Sequence, residues 1–279
     1  MRKKGEETLV TGADGMIGNY LGFGIKTDLK SLDVCDATAV RRAVLRYKPK
    51  VIIHLAAETD MGKCEQEPAK CYQINSVGTY NIVMAAREVK AKMVYVSTDA
   101  VFNGTKKYPH NEEDIPHPAN FYGHSKYLGE LAVMGISRDY ILIRTSWVFG
   151  GGPQKDKKFV GKIMKQLLKP NIKEIKAAND FKSSPTYAKD LAARIKKLIV
   201  EDKKGIFHIT NSGIATRHKM AKEILNILGL KPKLSAVKSD FFNPNISHIN
   251  TGGLISKSTQ LRPWQEALEE YLKTEWKII

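Results

Sequence analysis

The stretch Thr8-Leu9-Val10-Thr11-Gly12-Ala13-Asp14-Gly15-Met16-Ile17-Gly18 decides the fold. A short apolar run leads into three glycines spaced three apart, and a helical stretch continues to about residue 21. In a strand–turn–helix unit each glycine has a steric role. Gly12 permits the tight turn, Gly15 lets the backbone approach a pyrophosphate, and Gly18 lets the helix pack closely on the sheet. The free N–H groups and positive dipole at the helix start suit a phosphate. The spacing is Gly-x-x-Gly-x-x-Gly rather than the commoner Gly-x-Gly-x-x-Gly.

Outward from this unit, three apolar runs recur: Val51-Ile52-Ile53-His54-Leu55, Lys92-Met93-Val94-Tyr95-Val96-Ser97 and Tyr140-Ile141-Leu142-Ile143-Arg144. Continuous apolar strands are those buried on both faces of a parallel sheet. Helical stretches are expected between them, near residues 38–46, 75–89 and 125–134. This alternation predicts an α/β fold, a Rossmann-type doubly wound parallel sheet. After Trp147 the texture changes to Gly150-Gly151-Gly152-Pro153 and a lysine-rich loop. Helices near 159–168, 187–199, 217–228 and 263–276, with a strand near 206–209, predict a smaller, partly interleaved C-terminal substrate lobe. The expected division is residues 1–146 with 181–209 for the NAD(P)-binding domain, and 147–180 with 210–279 for the substrate lobe.

A chain of 279 residues, 42% hydrophobic and 27% charged, can bury a substantial core, which argues against a disordered protein. No run approaches the roughly 20 apolar residues of a membrane span. The first seven residues are charged and lack the apolar core of a signal peptide, so a cytoplasmic location is expected. The net charge of +16 would draw anions such as nucleotides, but the lysines are dispersed and no nucleic-acid motif is present. Cys35, Cys64 and Cys71 form no Cys-x-x-Cys motif and read as reduced and incidental. His110, His117 and His124 recur every seven residues, but Pro109, Pro116 and Pro118 break helical alignment, so no metal site is expected.

The chemistry is carried by two further signatures. Val94-Tyr95-Val96-Ser97-Thr98-Asp99 is a strand ending in hydroxyls, and sites of open α/β sheets lie at that end. In Tyr122-Gly123-His124-Ser125-Lys126 a phenol and an ammonium stand four residues apart, on one helical face. A phenol with a pKa near 10 is a poor acid at neutral pH, and a neighbouring ammonium would lower that value. Thr98 would bond a substrate oxygen, Tyr122 would pass a proton, and Lys126 would tune Tyr122 and hold a nicotinamide ribose. An acidic residue to grip the adenosine ribose is expected about 20 residues past the glycines. There the second strand is abbreviated, with Asp28 and Asp33 as candidates. Lys26 and Lys30 lie nearby and favour the 2′-phosphate of NADPH slightly over NADH.

With these residues in place, the chain resembles the extended short-chain dehydrogenase/reductase family, and within it the dTDP-4-dehydrorhamnose reductases, over nearly its whole length. The resemblance implies that Gly12, Gly15, Met16, Ile17 and Gly18 hold the cofactor phosphates. Asp33 and Val34 would lie beside the adenine. Leu55, Ala56, Ala57 and Thr59, with Asn75 and Ser97, would complete the cofactor lining along with Tyr122 and Lys126. It implies a catalytic set of Thr98, Tyr122 and Lys126, and a sugar pocket formed by Thr98, Asp99, Val101, Phe102, Tyr122 and Trp147. The implied activity is NAD(P)H-dependent reduction of the 4-keto group of a nucleotide-activated deoxysugar, by a monomer or homodimer. Sister dehydratases carry Thr-Asp-Glu where this chain has Thr98-Asp99-Ala100, so elimination lacks its base.

The chain departs from the family pattern in its short second strand, at Lys182-Ser183, and at Ser247-His248-Ile249, where an Arg-Pro pair usually precedes the Asn250-Thr251 position. Two alternatives stay open at this level: a nucleotide-sugar epimerase of the same fold, which shows no net cofactor consumption, and a non-catalytic reductase-like regulatory subunit.

Overall fold

The computed structural model describes residues 7–104, 106, 109–242, 252–256 and 258–277. The Ser247–Thr251 departure lies outside the described residues. The first half runs β1 (Thr8–Thr11), α1 (Met16–Tyr20), β2 (Ile25–Lys26), α2 (Ala37–Tyr47), β3 (Val51–His54), α3 (Met61–Gln66), α4 (Pro68–Tyr72), α5 (Gly78–Glu88), β4 (Lys92–Thr98), α6 (Phe121–Ile136) and β5 (Tyr140–Thr145). The second half runs β6 (Val148–Phe149), α7 (Gly152–Lys155), α8 (Phe159–Leu167), β7 (Glu174–Ala178), β8 (Thr186–Tyr187), α9 (Ala188–Val200), β9 (Gly205–His208), β10 (Asn211–Ser212), α10 (Arg217–Leu228), β11 (Lys233–Val237), β12 (Leu261–Pro263) and α11 (Trp264–Tyr271).

Six strands form one parallel sheet in the order β2-β1-β3-β4-β5-β9. The period-two pleat sends alternate side chains to opposite faces. Leu9, Ile52, Met93, Tyr95 and Leu142 pack on one face against Val40, Val44, Ile82, Val83 and Val133 of α2, α5 and α6. Val10, Ile53, Val94, Ile141 and Ile143 pack on the other against Leu191, Ala192, Ile195 and Leu198 of α9. Both faces are therefore covered, as the continuous apolar runs require. A third apolar cluster joins Phe149, Ile163, Met164, Ile175, Met220, Ile224, Trp264 and Trp276 around α8, α10 and α11. Both tryptophans of the C-terminal helical segment thus serve the core. No described helix is long and apolar enough to cross a membrane.

Three local features refine the sequence pattern, the first as expected. The second strand has shrunk to two residues, and Thr27 O accepts from Ala13 N at 2.9 Å, so this stub rests on the glycine turn. The helix expected from 125 begins at Phe121, because the Asn120 side chain caps it by accepting from Gly123 N at 2.7 Å. Tyr122 therefore sits in the first turn. The helix expected from 75 starts as a wide π-turn, Gln73–Val77, that joins α4 to α5 and carries Asn75.

Helix α6 is tied to the sheet by a buried ion pair. Arg144 on β5 donates from Nη2 to Glu130 Oε2 at 2.8 Å and from Nε to both carboxylate oxygens at 3.1 and 3.2 Å. The two side chains are 2% and 0% exposed, so solvent does not screen the pair. Glu130 lies one turn beyond Lys126 on the same helix. Removing one partner leaves the other charge buried and unpaired. Glu130→Ala is expected to cost about 3–5 kcal/mol in denaturant unfolding, far above the roughly 1 kcal/mol of an exposed pair. A loss below about 1 kcal/mol would show that the pair does not anchor α6.

Candidate active site

The sheet order reverses direction of winding at β1, with β2 on one side and β3 on the other. Ligands of open α/β sheets occupy such switch points at the carboxyl ends of the strands. Here that point holds the glycine turn after β1 and the segment Leu55–Ala57 after β3. Gly12 has φ +64, and a Cβ on it would lie 2.5 Å from Ala56 N. A Cβ on Gly18 would lie 2.4 Å from Ala13 O, so α1 packs directly on the turn. Over Gly15 the one neighbour within 4 Å of an added Cβ is Gly12 O at 3.3 Å, which leaves its outer side open. Gly15 caps α1 with no side-chain bond to the helix N–H groups. Half-buried Met16 and Ile17 follow. A bare, glycine-lined helix entry of this kind fits a pyrophosphate.

A second glycine turn roofs the first. Gly150, Gly151 and Gly152 all have positive φ, and a Cβ on Gly151 would lie 3.5 Å from Met16 Cα. Tyr20 OH accepts from Gly151 N at 2.6 Å and donates to Glu275 at 2.5 Å. The lysines of the following loop, which composition alone would leave in solvent, reach back toward the turn. Lys155 Nζ donates to Asp14 O at 2.7 Å, and Lys158 Nζ donates to Thr59 O at 2.9 Å.

The remaining candidates divide into two groups. Ser97, Thr98, Tyr122 and Lys126 converge at the end of β4 and the start of α6. Ser97 Oγ is buried and has no hydrogen-bond partner, so it is a polar atom that a ligand could satisfy. Thr98 Oγ1 accepts from Ala100 N at 3.2 Å. The Thr98 hydroxyl also bonds the Tyr122 phenol, partly offsetting the rise that burial imposes on the phenol pKa. The expected lowering of that pKa by Lys126 is therefore overturned. Burial first, then Asp99, raise the phenol well above its usual value, and the proton stays on oxygen. Lys126 is itself pulled down to about 7 by burial, partly opposed by Glu130. Its Nζ lies 4.1 Å from the centre of the Tyr95 ring.

The second group is occupied with structure. Asn75 is fully buried and spends its amide on the chain: Oδ1 accepts from Glu58 N at 2.9 Å, and Nδ2 donates to Glu58 O and to Ser125 Oγ at 3.0 Å each. Val101 and Phe102 are buried with Leu254, and Phe102 stacks on His110 at 4.0 Å. They form a floor rather than an open lining. Asp33 is exposed and accepts from Cys35 N at 2.9 Å, while Val34 is buried and a Cβ on Gly78 would meet it at 2.7 Å. Asp28 closes a turn by accepting from Ser31 N and Oγ. Thr59 is exposed, and Asp60 caps α3 by accepting from Lys63 N. The three periodic histidines point to separate partners, Asp114, Asn103 and Tyr72. The described residues contain no group of three or more His, Cys, Asp or Glu placed to hold a metal ion.

Two features escape the linear sequence. Asp99 Oδ2 accepts from Ser146 Oγ at 2.6 Å and Ser183 Oγ at 2.5 Å, clamping three segments together beside Thr98. Arg217, at the start of α10, stacks on Trp147 at 3.7 Å and on Phe159 at 4.8 Å. Burial brings its guanidinium down to about 9, against the pull of Asp99 and Asp156. No local motif marks an arginine at a helix start as part of a site.

With the geometry established, comparison places the chain among known proteins. The model of the RmlD substrate binding domain matches residues 6–276. The spore coat polysaccharide biosynthesis protein SpsK of Bacillus subtilis is 34% identical over 96% of this chain and 97% of its own length. The dTDP-4-dehydrorhamnose reductase of Mycolicibacterium smegmatis is 31% identical over 95% of this chain and 84% of its own length. The crystal structure of dTDP-4-dehydrorhamnose reductase from Bacillus anthracis in complex with NADP superposes with a TM-score of 0.89 at 31% identity, covering 95% of this chain and 98% of that one. The chain therefore belongs to the RmlD substrate binding domain family, among proteins like the dTDP-4-dehydrorhamnose reductases.

Proposed function

We propose that this NAD(P)-dependent oxidoreductase reduces the 4-keto group of a nucleotide-activated 6-deoxysugar, as in dTDP-L-rhamnose formation. The observation that carries the reading is the Tyr122 phenol hydrogen-bonded to the Thr98 hydroxyl at the end of β4, with Lys126 one turn further along the same helix. A bound reduced nicotinamide would supply hydride to the carbonyl carbon. Thr98 Oγ1 orients the carbonyl oxygen. Tyr122 hands its proton to that oxygen as negative charge develops there. The raised phenol pKa keeps this proton available at neutral pH. Lys126 holds the cofactor ribose and stabilises the phenolate left behind. Ala100 leaves no carboxylate for the elimination run by sister dehydratases.

In this reading Gly12, Gly15, Met16, Ile17 and Gly18 hold the phosphates, with Leu55–Ala57 and Ser97 along the nicotinamide half. Asn75 holds that wall in place through Glu58 and Ser125. Lys26 and Lys30 are exposed near the stub of β2, whereas Asp28 is closed on Ser31, which favours NADPH. The substrate lobe comprises 147–180 and 210–279, with Trp147 and Asp99 at the sugar. Arg217 stands behind Trp147 as a cation toward the nucleotide diphosphate.

Tyr122→Phe is expected to lower kcat for keto-sugar reduction by at least about 100-fold while NADPH still binds. Spectrophotometric NADPH oxidation with a nucleotide 4-keto-6-deoxysugar measures it, and a near-parental rate removes Tyr122 from the chemistry. Parent enzyme should consume one NADPH for each sugar reduced, whereas an epimerase consumes none.

Lys126 also makes a pH-dependent contribution to stability. Its pKa falls from 10.5 to about 7 on folding, so between those values the unfolded chain binds the extra proton. Stability rises with pH across that window. The contribution is complete above 10.5 and is lost as pH falls through 7. The Tm of ligand-free parent relative to Lys126→Met should therefore climb from pH 7 to pH 10. A pH-independent difference would mean that Lys126 stays charged in the folded protein.

A further inference from the structure

Behind the candidate catalytic helix lies a pair of sulfur atoms that the proposed reduction does not use. Cys64 on α3 and Cys71 on α4 are 0% and 1% exposed, and their Sγ atoms share an S–H···S contact at 2.7 Å. That separation is only about 0.7 Å longer than a disulfide bond. Both residues are free thiols in this structure. Cys71 faces two ways. Inward, its Sγ lies 3.2 Å from Ser125 Oγ and accepts from Asn75 Nδ2 at 3.4 Å. Outward, it lines a small surface cavity with Glu58, Lys63, Glu67 and Lys70. The cavity has room for about one water-sized molecule, and the exposed Lys63, Glu67 and Lys70 side chains at its rim would swing aside to admit a hydroperoxide.

We propose that Cys64 and Cys71 form a reversible oxidation site, closing to a disulfide when a small hydroperoxide enters the cavity beside Cys71. The two thiols have unequal roles. The contacts with Cys64 and Ser125 and the hydrogen bond from Asn75 lower the Cys71 thiol to about 7 against burial, whereas the shared contact and burial push Cys64 up. Cys71 alone of the two lines the cavity, so it is the attacking thiolate. Its sulfur takes one oxygen of the hydroperoxide, the O–O bond breaks, and water or the alcohol leaves with the proton. The product is a sulfenic acid. Cys64 then attacks that sulfur, the S–O bond breaks, and hydroxide leaves with the Cys64 proton as a second water. Two thiols are oxidised by two electrons and one peroxide is reduced. The sulfurs themselves need approach by only about 0.7 Å.

The site reaches the catalytic helix through Ser125, whose Oγ donates to Tyr122 O at 2.8 Å. A disulfide sulfur has no proton to give and accepts more weakly than a thiolate, so the contacts of Cys71 with Ser125 and Asn75 weaken. This consequence rests on the reading of Tyr122 given above; the oxidation site itself does not.

The test oxidises the full-length protein with hydrogen peroxide, alkylates the remaining thiols and maps the peptides by mass. The expected product links Cys64 to Cys71, lighter by two hydrogen atoms, with Cys35 still alkylated. Dithiothreitol restores both thiols. In Cys64→Ser, Cys71 should stop at sulfenic acid, trapped by a dimedone-type reagent, and in Cys71→Ser no sulfenic acid should appear at Cys64. Circular dichroism of both variants checks that they fold. Alkylation of both cysteines after oxidation, or a link from either one to Cys35, overturns the proposal. The mass readout is independent of turnover, so it stands or fails separately from the reductase assignment.

Discussion

The buried pair between Glu130 and Arg144 is the constraint on which the rest of the site depends. Its two charges are removed from water, and each is tolerable only because the other is present. The pair joins α6 to β5 at one register, and β5 is hydrogen-bonded to β4. Fixing the helix on the sheet fixes Tyr122 and Lys126 relative to Thr98 at the end of β4. A sliding helix would bury an unpaired carboxylate, so the alternative positions are costly. The same carboxylate supports the Lys126 ammonium against burial from one turn away.

Around this anchor the polar groups of the site are either spent or held ready. Asn75, Glu58 and Ser125 satisfy one another and join the π-turn to α6. Asp99 joins β4 to the segments carrying Ser146 and Ser183. His54 links Thr11 and Thr79 through its two ring nitrogens, and burial brings its pKa down to about 3, so it stays neutral. Against this satisfied frame stand Ser97, with an unpartnered hydroxyl, and two cations resting on rings, Lys126 over Tyr95 and Arg217 over Trp147. Rings desolvate a cation without neutralising it. The result is a fixed polar frame around a small set of groups left for a ligand.

Much of this was legible in one dimension because it obeys local rules. Strands buried on both faces must be apolar throughout, so β1, β3, β4 and β5 stand out as runs. The glycine turn is legible because only glycine tolerates the approach of Ala56 at Gly12 and of Ala13 at Gly18. Tyr122 and Lys126 pair because four residues make one helical turn. The start of α6 was missed by four residues, since an Asn cap outweighs the prolines that precede it. Val101 and Phe102 follow the family pattern of a sugar pocket, and their packing on His110 and on Leu254, far along the chain, is visible only in three dimensions.

What the sequence by itself determined is the alternation of strand and helix, the glycine turn and the order of hydroxyl, phenol and amine along the chain. These depend on periodicity and on the steric limits of single residues. Tertiary structure alone decided the direction in which the phenol pKa moves, the stacking of Arg217, the reach of Lys155 and Lys158, and the meeting of Cys64 with Cys71. Each of these depends on desolvation or on contact between segments, and neither quantity exists until the chain has packed.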